Sequence, residues 1–330
     1  MRVLVTGAGG FLGSAIAGGL VRRGDHVIGL ARGEHPQLSA LGAEFVRGDI
    51  RDAELLTRVC ERVDAVIHTA AVAGVWGPWQ SYYGINTLGT QNVIAGCIAG
   101  GVPILVHCSS PSVTFDGQHQ SGIDESAPYA TRHLCHYSHT KALAEAAVLA
   151  AHRPGVLHTA ALRPHLIWGA GDPHLLPRLI QRSKAGRLMI VGDGLNKIDT
   201  VHVNNAAAAH LLALDRLSDP AAAAGGRAFF ITQDEPVRCW DWIARLLATA
   251  GCPPPQRHIG FGAAWKIGAA LEFAYRTARI RSEPPMTRFV AAQLARDHYF
   301  DISAAREMLG YVPVMTTQAG LDELRDSFAK

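Results

Sequence analysis

The segment Thr6-Gly7-Ala8-Gly9-Gly10-Phe11-Leu12-Gly13 constrains this chain more than any other, because it joins a short apolar run to a helix-length stretch with nothing in between. Glycines at 7, 10 and 13 permit a tight turn, close approach of the backbone to a pyrophosphate, and close packing of helix on strand. The segment Phe11, Leu12, Gly13 then opens a helix, whose first N–H groups have no intrahelical partner and face a phosphate favourably. Such spacing gains its meaning from what surrounds it, so the pattern along the chain decides.

Short apolar, β-branched runs are read as strands at Arg2 to Thr6, His26 to Ala31, Glu44 to Arg47, Ala65 to His68, Pro103 to Cys108 and Leu157 to Leu162. Between them lie segments with apolar residues three and four apart, the helical spacing. Near-continuous apolar strands alternating with helices predict a parallel sheet covered on both faces. The expected fold is therefore α/β, a Rossmann-type doubly wound parallel sheet over residues 1–165. A smaller, mostly helical substrate lobe over 166–330, with strands and helices returning to the core, should follow, because past Pro164 the alternation loosens and prolines punctuate it at 173, 177, 220, 253–255 and 284–285. The Ala221 to Ala224 run reads as a helix end or loop.

The end of the second strand should show which cofactor is held, since an acidic residue there hydrogen-bonds the ribose 2′-OH of NAD. Ala31 and Arg32 stand there instead. An Arg can pair with a 2′-phosphate, so NADP(H) is favoured, with NAD(H) open if Arg32 is only a solvated charge and Glu34 reaches the ribose. Farther on, Asp49-Ile50 ends a strand-turn where an adenine edge could rest, and the small Ala70 after His68-Thr69 lets a cofactor approach.

Tyr137 and Lys141 lie four residues apart in a helix-like segment and so share a face. A phenol is a poor base at neutral pH, and a nearby ammonium would favour the phenolate and make Tyr137 a usable acid-base group. Ser110, just past the strand ending His107-Cys108, could donate a hydrogen bond to a carbonyl oxygen as negative charge develops on it. The alternative is an exposed helix pair and a capping serine. His133, His136 and His139 are three apart, but no Cys or carboxylate completes a ligand set, so no metal is expected.

Three stretches could line a substrate crevice outside the carboxyl ends of the strands. Gly74 to Tyr83 carries Trp76, Trp79, Tyr82 and Tyr83 and offers an apolar wall, or a satellite cluster under a loop. His136 beside Tyr137 could touch substrate. The helical stretch Phe261 to Ile280 could be a lid over an apolar substrate, an amphipathic contact with a membrane surface, or ordinary core. His165, Arg178 and Arg288 are candidate cationic partners for an acid group.

Composition narrows the partners. Lys+Arg 31 against Asp+Glu 28 leaves +3 with no dense basic run, which excludes nucleic acid. The six cysteines, at 60, 97, 108, 135, 239 and 252, follow no pairing pattern and suggest free thiols in a reducing, cytoplasmic compartment. No apolar stretch reaches about 18 residues, so no transmembrane helix is expected, and the N-terminus carries no cleavable apolar segment.

With T-G-x-x-G-x-x-G at Thr6 to Gly13, H-x-A-A at His68 to Ala71 and Y-x-x-x-K at Tyr137 to Lys141, the chain resembles the extended short-chain dehydrogenase/reductase superfamily over nearly its whole length. The resemblance implies Ser110 as carbonyl orienter, Tyr137 as acid-base, Lys141 as tuner of the phenol and ribose contact, and Asn86 as a supporting residue. It also implies that Pro164 begins a loop contacting the nicotinamide carboxamide, and it makes a homodimer an expectation. Ser109-Ser110-Pro111-Ser112-Val113, Asp124-Glu125-Ser126 and Arg163-Pro164-His165-Leu166-Ile167-Trp168-Gly169 look like the 3β-hydroxysteroid dehydrogenase branch. Within it the chain is similar to sterol-4-carboxylate 3-dehydrogenases and to bacterial 2-alkyl-3-ketoalkanoate reductases of olefin synthesis. An apolar small-molecule substrate with an oxygenated carbon β to a carboxylate is implied, and His165 would stand where sugar-nucleotide epimerases usually carry Asn. Two rival readings remain: an NAD-dependent sugar-nucleotide epimerase or dehydratase, and a dinucleotide-sensing protein without turnover.

Overall fold

The computed structural model describes residues 1–219 and 223–329. The Ala221 to Ala224 run straddles the break, its first two residues lying outside the described residues together with Pro220. Seven strands, β1 (Arg2–Thr6), β2 (His26–Ala31), β3 (Glu44–Arg47), β4 (Ala65–His68), β5 (Ile104–Cys108), β6 (His158–Pro164) and β7 (Arg227–Ile231), form one sheet in the order β3-β2-β1-β4-β5-β6-β7. Every pairing in it is parallel.

Alternation along β1 shows why this sheet needs cover on both faces. Val3 and Val5 pack into one core with Ile67, Val106, Leu162 and Phe229, whereas Leu4 packs into the other with Ile28, Val66 and Leu105. Helix α1 (Phe11–Arg22) buries Ile16 and Leu20 in the first core, and α2 (Gly89–Ala99) buries Val93 and Cys97 in the second. Helix α3 (His136–Ala150) adds Val148 to the second core, and α4 (Val203–Leu217) adds Ala206, Ala213 and Leu214 to the first. The chain thus closes its sheet with β7 and α4, elements from well past residue 165.

A separate apolar cluster centres on Trp168, Trp240, Trp242, Ile243 and Leu246, packed with Leu176, Leu179 and Ala264. It supports helices α5 (Phe261–Thr277) and α6 (Arg288–Ala295) over the carboxyl ends of the sheet strands. Among the described residues, no helix is long and apolar enough to cross a membrane. All six cysteines are free.

Candidate active site

The sheet order reverses between β1 and β4, and the crevice opens there, as an open α/β sheet requires. Gly7 turns with φ 72, donates its N–H to the Leu30 carbonyl (2.8 Å), and accepts from Gly10 N–H (2.9 Å). A Cβ on Gly7 would sit 2.7 Å from Ala70 N, and one on Gly13 would sit 2.2 Å from the Gly7 carbonyl oxygen. Gly10 caps α1 with no side-chain hydrogen bond, so the first N–H groups stay available to an anion. A cleft of about 380 Å³ runs from this turn past Ala31, Arg32, Asp49, Ile50 and Ala70. The open N–H groups of the turn suit a dinucleotide pyrophosphate, and Arg32 lines the same cleft.

Gly13→Ala places its methyl against backbone that cannot rotate away. We expect overpacking to cost about 1–3 kcal/mol of folding stability, read as a lower midpoint in denaturant unfolding.

Sequence reasoning missed His35 at this cleft. Its ring lies against the turn, 2.2 Å from where a Gly9 Cβ would be, and stands edge-on to Phe45. Glu34 reaches toward Arg47 (3.8 Å) and does not line the cleft. Asp49 is turned onto Arg51 (2.8 Å), and this hydrogen bond draws its carboxyl below the usual range.

The loop leaving β4 carries Thr69, Ala70 and Ala71 in the cleft and continues to Gly74 and Val75 in a second cavity of about 180 Å³. Ser110, Tyr137, Pro164 and His165 meet in that cavity. Ser110 is placed by the extended residue before the turn Pro111–Val113. Its Oγ accepts from Ser112 N–H (3.2 Å) and lies 2.9 Å from Ser112 Oγ.

The Tyr137 phenol differs from expectation. Burial pushes it well above its ordinary range, the Cys108 thiol adds to the rise, and the Ser110 hydroxyl pulls the other way. The Lys141 ammonium is absent from these dominant influences. It is buried, and burial draws it below its ordinary range. It donates to the Cys108 carbonyl (2.5 Å) and to His107 Nε2 (3.2 Å). Burial thus opposes the phenolate, while Lys141 spends its hydrogen bonds at the end of β5. His107, which the sequence gave no reason to single out, accepts from Lys141, and its buried Nδ1 has no partner among the described residues.

Asn86 lies behind the cavity in the π-helical turn Tyr83–Leu88 and is fully buried. Its Oδ1 accepts from Val72 N–H (2.7 Å), while Nδ2 donates to the Val72 carbonyl (3.1 Å) and to Thr140 Oγ1 (3.2 Å). It ties the loop after β4 to α3 and stays off the cavity wall.

Residues far along the chain, Phe289, Gln293, His298 and Phe300, close the same cavity. His165 Nε2 lies 2.6 Å from His298 Nδ1, and His298 Nε2 donates to the Gln293 carbonyl (2.7 Å). Burial, and then the other imidazole, drives His165 well below the usual histidine range. The next residue, Leu166, has φ 44, a left-handed conformation that a non-glycine residue adopts only when its surroundings hold it there.

A larger cavity of about 700 Å³ shares Val75 with this one and is lined by Trp76, His136, Tyr275, Arg276, Arg279 and Ile280 among others. Trp76 Nε1–H donates to the Ile280 carbonyl (3.2 Å), so the β4 loop and the end of α5 touch across it. Helix α5 thus presents Tyr275 and Arg276 to the cavity while Phe273, 73% exposed, points outward. His136 Nδ1–H donates to the Gly77 carbonyl (3.0 Å). Trp79 lies outside this wall, stacked on Tyr83 and edge-on to His136.

Two of the three expected cationic partners are paired within the protein. Arg178 is paired with Glu283, and Arg288 grips Glu272 through Nε (3.0 Å) and Nη2 (2.7 Å). The third, His165, lines the cavity that holds Ser110 and Tyr137.

The model of the 3-beta hydroxysteroid dehydrogenase/isomerase family matches residues 4–259. The chain is 45% identical to a 2-alkyl-3-oxoalkanoate reductase of Stenotrophomonas maltophilia (strain K279a), covering 100% of both chains. It is 33% identical to the sterol-4-alpha-carboxylate 3-dehydrogenase, decarboxylating, of Bos taurus, covering 99% of this chain and 92% of that one. Among solved structures it is similar to MoeE5 in complex with UDP-glucose and NAD, with TM-score 0.74 and 26% identity over 100% of this chain and 99% of that one.

Proposed function

Because the chain belongs to the 3-beta hydroxysteroid dehydrogenase/isomerase family, and so is an NAD(P)-dependent oxidoreductase of secondary alcohols and ketones, we propose that it reduces the ketone of a β-keto acid with a bulky apolar body, using NADPH. The observation that carries this reading is the convergence of Ser110 and a protonated Tyr137 on one cavity, reached from the glycine cleft along a single loop. Full-length identity of 45% to a keto-acid reductase supports it over the sugar-nucleotide reading, whose likeness is a fold at 26% identity.

When bound, the nicotinamide supplies a hydride to the ketone carbon. Tyr137 gives its proton to the ketone oxygen, and Ser110 donates a hydrogen bond to that oxygen as charge develops on it. Lys141 holds the end of β5 through the Cys108 carbonyl and so fixes Ser110, two residues on. One ketone, one NADPH and one proton become one secondary alcohol and NADP⁺. A sterol-4-carboxylate offers the same oxygenated carbon β to an acid, and the 33% relative makes it the second substrate class to try.

The test follows 340 nm absorbance with NADPH and either a 2-alkyl-3-keto acid or a 3-ketosteroid. Oxidation with the keto acid is expected; turnover of the steroid alone contradicts the proposal. Arg32 is assigned to the 2′-phosphate, so Arg32→Ala is expected to lower kcat/KM for NADPH by about 10- to 100-fold, the worth of a charge-assisted hydrogen bond, and to leave NADH use little changed. Equal losses with both cofactors would remove that assignment.

A further inference from the structure

We propose that His165 and His298 form the subsite for the substrate's carboxylate and take up one proton when the acid binds. The inference rests on the β-keto acid reading and adds to it the group that recognises the acid. The carboxyl carbon of such a substrate is two bonds from the ketone carbon. It must therefore lie in the same 180 Å³ cavity as Ser110 and Tyr137, and among the residues lining that cavity there is no Lys, Arg, Asp or Glu. The guanidinium groups of Arg276 and Arg279 line the neighbouring 700 Å³ cavity instead. Among the residues lining this cavity, the histidine pair alone can carry a positive charge.

The hydrogen bonds fix the protons. A carbonyl only accepts, so His298 Nε2 carries hydrogen toward Gln293, and a neutral His298 has a bare Nδ1. That nitrogen, 2.6 Å from His165 Nε2, accepts from it. Neutral His165 then has its own bare nitrogen, Nδ1, as its one uncommitted polar atom. A bare nitrogen repels a carboxylate, whereas a protonated one donates to it. In a buried site the charged pair is unfavourable when empty, and the opposite charge of a bound carboxylate reverses the balance. The added proton makes Nδ1 a donor, and the positive charge is shared across the pair toward the Gln293 carbonyl.

The surroundings leave this charge to the ligand. Arg163, two residues before His165, is spent on Glu145 (2.6 Å), and Arg288 on α6 is spent on Glu272. Asp297, beside His298, is turned to Lys197 N–H (2.7 Å), Ser121 and His119, and its charge favours protonation of His298 less than burial opposes it. Asp199, whose N–H donates to the His298 carbonyl, accepts from Phe300 N–H (2.9 Å), and burial raises it to about 7. Buried Tyr311, raised chiefly by burial, caps Thr232 beyond it, and on α3 the group facing His165 across the cavity is neutral Tyr137.

Calorimetry on the NADP⁺-bound wild type, in two buffers of different ionisation enthalpy at pH 7.5, compares a 2-alkyl-3-hydroxy acid with its methyl ester. Close to one proton taken up per acid bound, and none with the ester, is expected; affinity for the acid then weakens as pH rises. His298→Asn and His165→Phe should lower the ratio of kcat/KM for keto acid over keto ester by about tenfold or more, the worth of a charge-assisted hydrogen bond. NADPH titration reports that each variant is folded. Acid binding to wild type without proton uptake, or an unchanged acid-to-ester ratio in both variants, overturns the subsite alone. Turnover of neither acid nor ester by wild type that binds NADPH overturns the keto-acid reading and the subsite with it.

Discussion

Tyr137→Phe is expected to lower kcat/KM for ketone reduction by about 10²- to 10⁴-fold, the usual contribution of a positioned general acid. Cofactor affinity should fall far less, because the glycine turn and Arg32, proposed to hold the phosphates, line a cleft that Tyr137 does not. The pH dependence separates this loss from a packing defect. Burial raises the phenol above its ordinary range, so Tyr137 stays protonated through neutral and mildly alkaline pH. Reduction by wild type should therefore show no loss assignable to this group until pH passes the ordinary phenol range, then fall as the proton is lost. The reverse reaction needs the phenolate and should rise over that same range. A Phe variant that keeps wild-type turnover would remove Tyr137 from the chemistry.

Glu145→Ala is expected to cost about 3–5 kcal/mol, because it strands a buried guanidinium. Arg163 donates to Glu145 through Nε (3.0 Å) and Nη2 (2.6 Å), and Tyr129 O–H adds a third bond to the same carboxylate (2.9 Å). The Arg163 and Glu145 side chains are 4% and 0% exposed, so water cannot replace the lost partner. A domain is stable by only about 5–15 kcal/mol, so this is a large share of the whole. Denaturant unfolding should show the midpoint fall with the slope unchanged. Since Arg163 leads directly into Pro164 and His165, the variant should also lose activity at temperatures where it is still folded. A change below about 1 kcal/mol would mean that the pair is solvated.

Where the chain reports locally, its sequence was a sufficient guide. The strands β1 to β4 have the bounds read from their residues; in β1, β2 and β4 a strand buried on both faces is apolar nearly throughout, and the edge strand β3 is marked by Phe45 and Val46. Gly7 and Gly13 could be understood from spacing because no side chain fits there, and a Cβ at Gly10 would crowd the Gly7 carbonyl oxygen at 3.2 Å. What local pattern cannot show is pairing over distance. His298 lies 133 residues from His165 and meets it only because the strand His298–Phe300 folds back beside the carboxyl end of β6. Likewise β7 joins the sheet after a long excursion, and nothing in Arg227 to Ile231 announces its neighbour.

The Tyr137–Lys141 spacing was legible, whereas the burial of the phenol was not. Helical periodicity gives a shared face, whereas the phenol's state depends on desolvation and on where Lys141 spends its hydrogen bonds. His107 decides part of that from β5, at a position that otherwise reads as ordinary strand interior. The pairing of Arg288 and Arg178 was hidden for a related reason: Glu272 and Glu283 approach them only in the folded lobe.

The central claim is hydride transfer to the carbon β to the acid. Wild-type enzyme would be given NADPH deuterated at the transferable C4 position together with a 2-alkyl-3-keto acid, and the product examined by mass spectrometry. The account predicts a 3-hydroxy acid that keeps its carboxyl group and carries one deuterium on C3. NADPH left unoxidised, or a product without deuterium at C3, would contradict it.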